Sequence, residues 1–144
     1  MKLFSKDTSD LFAELKHERN VEDYRKRNQD EFTVPLHEYL SHLLEERGLN
    51  KNDVIAASQL NSTYAYHILS GIRKNPSRPK ILALAIAMGL NLDETQYLLR
   101  YAKQSPLYPR NPWDSAIIFA VEQKLSVMET NELLYQLGET ELLA

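Results

Sequence analysis

Four times along this chain a polar residue suited to capping a helix is followed three positions later by an acid: Asn50/Asp53, Asn91/Glu94, Asn111/Asp114 and Ser126/Glu129. The side-chain oxygen of such a cap accepts a backbone N–H that the first helical turn leaves unpartnered, and the acid favours the positive end of the helix dipole. Pro112 adds a further start signal, because proline at the first helical position gives up a donor that had no partner. Glycines 48, 71, 89 and 138 each follow an apolar-periodic stretch, where a residue tolerant of the left-handed conformation ends a helix. Boundaries this dense predict seven or eight short helices, no strands and an all-α fold.

The apolar spacing places those helices. Residues 7–31 carry Leu11, Phe12, Leu15, Val21 and Tyr24 amid dense charge, either as one helix broken near Asn20 or as two short ones. A helix over 36–47 has Tyr39, Leu40, Leu43 and Leu44 on one face. After a helix pair in 51–70 come helices over 78–88, burying Ile81, Leu82, Leu84, Ala85 and Met88, and over 92–103, presenting Leu92, Tyr97, Leu98 and Tyr101. Beyond the bend SPLYPRNP, helices over 112–124 and 127–137 carry Trp113, Ile117, Ala120 and Val121, then Val127, Leu133, Leu134 and Leu137. The expected division is an N-terminal helical arm (1–33), a central domain (34–104) and a C-terminal helical extension (105–144).

Residues 50–70, NKNDVIAASQLNSTYAYHILS, read as two short helices joined by a tight turn at Gln59 and Leu60. Asn50 caps the first and Asn61 the second, and Val54, Leu60, Ala65 and Ile68 are spaced to pin them together. That arrangement is the helix-turn-helix, whose second helix enters a DNA major groove. Ser62, Thr63, Tyr66 and His67 lie on the outer face of helix 61–69 as candidates for base contact. Tyr64 is expected to pack toward helix 36–47. Net charge is −3 over 144 residues, which by itself argues against a nucleic-acid partner. The distribution argues otherwise: residues 47–80 hold six bases against Asp53, a local balance of +5, and residues 106–144 hold two bases against six acids. Lys51, Asn61, Arg73, Lys74 and Arg78 are the candidate phosphate contacts, which set register without reading sequence.

Five helices between about 35 and 104, with the helix-turn-helix second and third, resemble the Cro/C1-type repressor domain of the XRE family. The resemblance runs from LHEYLSHLLEERGLNKNDV through NLDETQYLLRYA, and HILSGIRKNPS is similar to the family's recurring end of the recognition helix. LLYQLGE and PLYPRNPWDSAIIFAV resemble the tail of helix-turn-helix regulators from Gram-positive bacteria. Four positions depart from the family pattern. Ile55 stands where a small residue is usual and Ala65 where a larger branched one is usual, a reversal that conserves packed volume. Ser58 occupies an apolar position, with its hydroxyl expected on a backbone carbonyl one turn back. Gln59 takes the turn position of a glycine, at a cost on the order of 1 kcal/mol if the backbone there is left-handed. The resemblance implies a sequence-specific regulator of transcription on double-stranded DNA; a homodimer through the C-terminal apolar stripe is one expected partner state, and the lack of cysteine fits the cytoplasm.

Other chemistries find little here. The four histidines sit singly, without the spacing of a metal site, and four isolated glycines build no phosphate loop. No cysteine is present for thiol or disulfide chemistry, and no apolar run approaches the ~18 residues of a membrane span. No enzyme, cofactor or metal is expected. The competing expectation is a protein-interaction module, antitoxin-like or adaptor-like, that uses the charged arm or the apolar stripe Leu133, Leu134, Leu137, Leu142 and Leu143.

Overall fold

The structure, a computed structural model, describes residues 4–143. Residues 1–3 and 144, the outermost positions of the expected arm and extension, lie outside them. The described residues form nine α-helices and one 3-10 turn, with no strand. None of these helices is long and apolar enough to cross a membrane. The chain divides into two compact units, Met1–Pro35 and Leu36–Ala144.

In the first unit α1 (Thr8–Lys16) and α2 (Val21–Arg27) are separate helices, followed by a 3-10 turn at Gln29–Glu31. Asn20 makes the break, because its side-chain oxygen accepts the Glu22 N–H at 2.8 Å and starts α2 afresh. Only Tyr24 and Asn28 are buried among the described residues of this unit, while Phe12, Leu15, Val21 and Phe32 are exposed. Polar contacts therefore define its interior. Lys6 Nζ donates to Glu14 Oε1 at 2.8 Å and to Asn28 Oδ1 at 2.6 Å, and Asn28 Nδ2 donates to Glu14 Oε2 at 2.7 Å. Arg27 pairs with Glu14 and Glu18. The Lys6 hydrogen bond, then that of Asn28, holds the Glu14 carboxyl down at about 2, against an ordinary 4.5.

The second unit contains α3 (Leu36–Glu46), α4 (Lys51–Ser58), α5 (Ser62–Ser70), α6 (Arg78–Ala87), α7 (Leu92–Tyr101), α8 (Pro112–Glu122) and α9 (Val127–Gln136). The capping pairs act as their spacing predicts: Asn50, Asn61, Asn91, Asn111 and Ser126 each accept a backbone N–H three residues on. Glu94 and Glu129 return the bond to their caps, completing two capping boxes. Helix α6 lies at the centre, packed against α4, α7 and α9, with Ile81 through Ala85 all buried. A helix apolar on every side has to be covered on every side. Helix α3 packs on α5, and Tyr39 of α3 stacks on Tyr101 of α7 with ring centroids 4.2 Å apart. Helices α8 and α9 belong to this unit, with α7 on α8 and α8 on α9. Leu134 and Leu142 are buried and Leu133 and Leu143 half-buried, so most of the expected apolar stripe covers the core. Leu137 departs from expectation: it caps α9 past the last turn and is exposed.

One ion pair ties the start of α6 to the start of α8. Arg78 Nη1 and Nη2 donate to the two carboxylate oxygens of Asp114 at 2.9 and 3.0 Å, a bidentate pairing. The same guanidinium donates to the carbonyls of Ser105 and Pro106, and Tyr108 N–H donates to Asp114. Burial pushes the Asp114 carboxyl up, but the Arg78 hydrogen bonds and the Tyr108 N–H outweigh it and hold the group below its ordinary value.

Removing one partner of such a pair leaves an uncompensated charge in a low-dielectric site, so Asp114→Ala is expected to cost about 3–5 kcal/mol in urea unfolding. In the first unit, Glu14 stabilises the fold above its ordinary pKa, and that contribution is lost as pH falls through the depressed value. The NMR signal of the Asn28 side-chain amide should therefore titrate with a midpoint near 2, and Glu14→Gln should abolish that titration.

Candidate nucleic-acid interface

The turn between α4 and α5 is built by Ser58, Gln59 and Leu60. Gln59 adopts the left-handed conformation with φ +60°, and its Nε2 donates to the Ala56 carbonyl at 3.1 Å. Ser58 is buried; its hydroxyl donates to the Ile55 carbonyl at 2.7 Å and accepts the Leu60 N–H at 3.2 Å, one side chain satisfying two backbone groups. Ile55 and Ala65 are both buried, as a compensated exchange of volumes requires. Val54 and Ile68 are buried with them, and Leu60 is half-buried.

Helix α5 stops at Gly71, where φ is +89°. A Cβ on this residue would lie 2.7 Å from His37 Nδ1, so both the backbone conformation and the space demand glycine. The chain then turns back, and Arg73 N–H donates to the His67 carbonyl at 2.9 Å. That bond brings Arg73 alongside the helix it follows.

Ser62, Thr63 and Tyr66 are exposed on α5, and His67 is half-buried beside them. Lys51 Nζ stands 4.5 Å from the Tyr66 ring centroid. Arg73 and Lys80 both stand over the Tyr64 ring, at 4.8 and 4.2 Å. Tyr64 is thus half-buried beneath two cations rather than closed into the core toward α3. A cation over a ring face gains electrostatic attraction without being neutralised. Among the described residues no ion pair engages Lys51, Arg73, Lys74 or Lys80. A cleft of about 360 Å³ is lined by Asn61, Thr63, Tyr64, His67, Arg73 and Lys80.

Two expectations about this face change. Arg78 leaves the set of phosphate contacts, because Asp114 and two carbonyls already take its donors. The side-chain oxygen of Asn61 is likewise engaged, in capping α5 through Tyr64 N–H at 3.1 Å, although the residue still lines the cleft. Lys80 joins the set. It is sixteen positions from Tyr64, and nothing in the local pattern of 78–88 brings the two together. The basic island is thus sorted by tertiary contacts: Arg47 and Arg78 are neutralised by Glu94 and Asp114, while Lys51, Arg73 and Lys80 are held over tyrosines.

Comparison with protein-family models, with curated proteins and with solved structures finds no match to this chain.

Gly71→Ala should destabilise the fold by on the order of 1–2 kcal/mol from its backbone conformation alone, with a further loss from the contact with His37. In the double variant Gly71→Ala/His37→Ala, equilibrium unfolding should recover the contact part relative to the two single variants and retain the backbone part.

Proposed function

We propose that this chain is a sequence-specific regulator of transcription that inserts α5 into the major groove of double-stranded DNA. On this reading α3–α7 are the five-helix core of a Cro/C1-type, XRE-like repressor domain. The observation that carries it is the set of three cations, Lys51, Arg73 and Lys80, braced over tyrosines of α5 without an acidic partner among the described residues. Cations held beside an exposed helix and not neutralised by the protein suit phosphate oxygens on both sides of a groove. Ser62 and Thr63, at the N-terminal end of α5, are placed where recognition helices meet base edges, and His67 follows one turn from Thr63. Tyr66, held by Lys51, reaches the edge of that face. Two copies bound to half-sites one helical turn apart would complete the reading.

The competing reading is a protein-interaction module. It draws on the exposed Phe12, Leu15, Val21 and Phe32 of the first unit, an apolar set without polar work of its own.

Selection of bound sites from random duplex DNA, followed by titration against salt, separates the two. DNA binding should weaken steeply with salt, and Arg73→Ala or Lys80→Ala should lower affinity for every sequence and reduce the salt slope by about one. Thr63→Ala or His67→Ala should cost about 1–3 kcal/mol at particular base pairs only. Absence of any retardation at low salt overturns the DNA reading and leaves the interaction module.

A further inference from the structure

A second cleft, of about 370 Å³, opens on the other side of Leu60 and Asn61. It is lined by Gln59, Ser77, Pro79 and Lys80 on one side and by residues 140–143 on the other. The two clefts share Leu60, Asn61 and Lys80, so they adjoin at the start of α5 and are taken together as one trough. Its far wall is the segment after α9, and that segment is tied down. Trp113 Nε1–H donates to the Thr140 carbonyl at 2.7 Å, and Asn131 Oδ1 accepts the Leu142 N–H at 2.7 Å and the Leu143 N–H at 3.3 Å. Leu142 is only 2% exposed. The wall is therefore a fixed part of the second unit.

The trough has opposite charges at its two ends. Arg73 lines the first cleft only, and Lys80, common to both clefts, stands with it over Tyr64. Glu141 lines the second cleft, and no ion pair among the described residues neutralises it. We infer that the sugar-phosphate strand bordering the groove entered by α5 lies in this trough, gripped at the Arg73–Lys80 end and repelled at Glu141. This rests on the DNA reading above and adds a residue to it: Glu141 limits affinity and sets where along the strand the contact stops. The physical basis is charge complementarity. A phosphate strand gains from the Arg73 and Lys80 cations, and each further step toward residues 140–143 brings its charge nearer to the Glu141 carboxylate. The effect is independent of base sequence, because it acts on phosphates.

The experiment measures duplex binding by fluorescence anisotropy for the full chain and four variants, at about 0.15 M salt, where the screening length is roughly 8 Å. Glu141→Gln should tighten binding to all duplexes by roughly two- to fivefold, the size of one surface charge interaction. Glu141→Lys should tighten it further and raise the salt slope by about one. Glu122→Gln, the same change in net charge on the exposed side of α8, should leave binding unchanged. If Arg73→Ala weakens binding but Glu141→Gln leaves it unaltered, or if Glu122→Gln matches Glu141→Gln, the trough is not the path of the strand and the DNA reading stands. If the unsubstituted chain binds no duplex even at low salt, the DNA reading fails and the role of Glu141 fails with it.

Discussion

The Arg78 guanidinium is the point on which the second unit depends. Four acceptors converge on it, two from Asp114 and one each from the carbonyls of Ser105 and Pro106, all 27 to 36 residues further along the chain. Arg78 opens α6, Asp114 lies in the first turn of α8, and the two carbonyls sit in the connection after α7. A planar fork that donates in fixed directions orients its partners as well as attracting them. The Trp113 ring lies 5.8 Å from the same guanidinium, and its N–H holds Thr140. The start of α6, which supplies Ser77, Pro79 and Lys80 to the trough, is thereby linked to the wall formed by residues 140–143. An arginine expected on phosphate instead determines where other residues stand.

The same pair explains how a chain of net charge −3 presents a cationic face. Bases and acids are not evenly cancelled. Arg47 and Arg78 meet Glu94 and Asp114 at the boundaries between helices, and their charge disappears from the surface field. Lys51, Arg73 and Lys80 meet tyrosine rings, which position a cation without cancelling it. Exposed ion pairs are worth little to stability, so keeping these three apart from acids costs the fold little and leaves them free to act on an anion. Tyr64 and Tyr66, two positions apart on α5, bring these cations to the helix that carries the candidate base contacts.

Where the helix pair departs from the pattern it was compared with in sequence, each departure has a local compensation. The Ile55 and Ala65 exchange keeps both positions buried. Ser58 satisfies the Ile55 carbonyl and the Leu60 N–H in a region that would otherwise need water. Gln59 accepts a left-handed backbone and returns a hydrogen bond to Ala56. The costs are of order 1 kcal/mol each, small enough for such bonds to offset.

Much of the fold was legible along the chain because its signals are local. Caps such as Asn91 and Ser126 act on N–H groups three residues away, and the positive-φ glycines act on the turn they end, so spacing alone identifies them. The buried set of α3 follows from periodicity for the same reason, and the unbroken apolar run of α6 marks a helix covered all round. The candidate site was legible only in part. Residues 62–67 could be placed on one helix face, since a helix of known phase fixes its own neighbours. The fate of each base could not be read, because Arg78 and Asp114 lie thirty-six residues apart and Lys80 and Tyr64 sixteen apart, with no repeating pattern connecting them. Sequence by itself determined the helices, their ends and the face that α5 presents, all short-range consequences of backbone bonding and side-chain phase. Only the tertiary structure decided which cations have no acidic partner among the described residues, because charge pairing depends on distances in space.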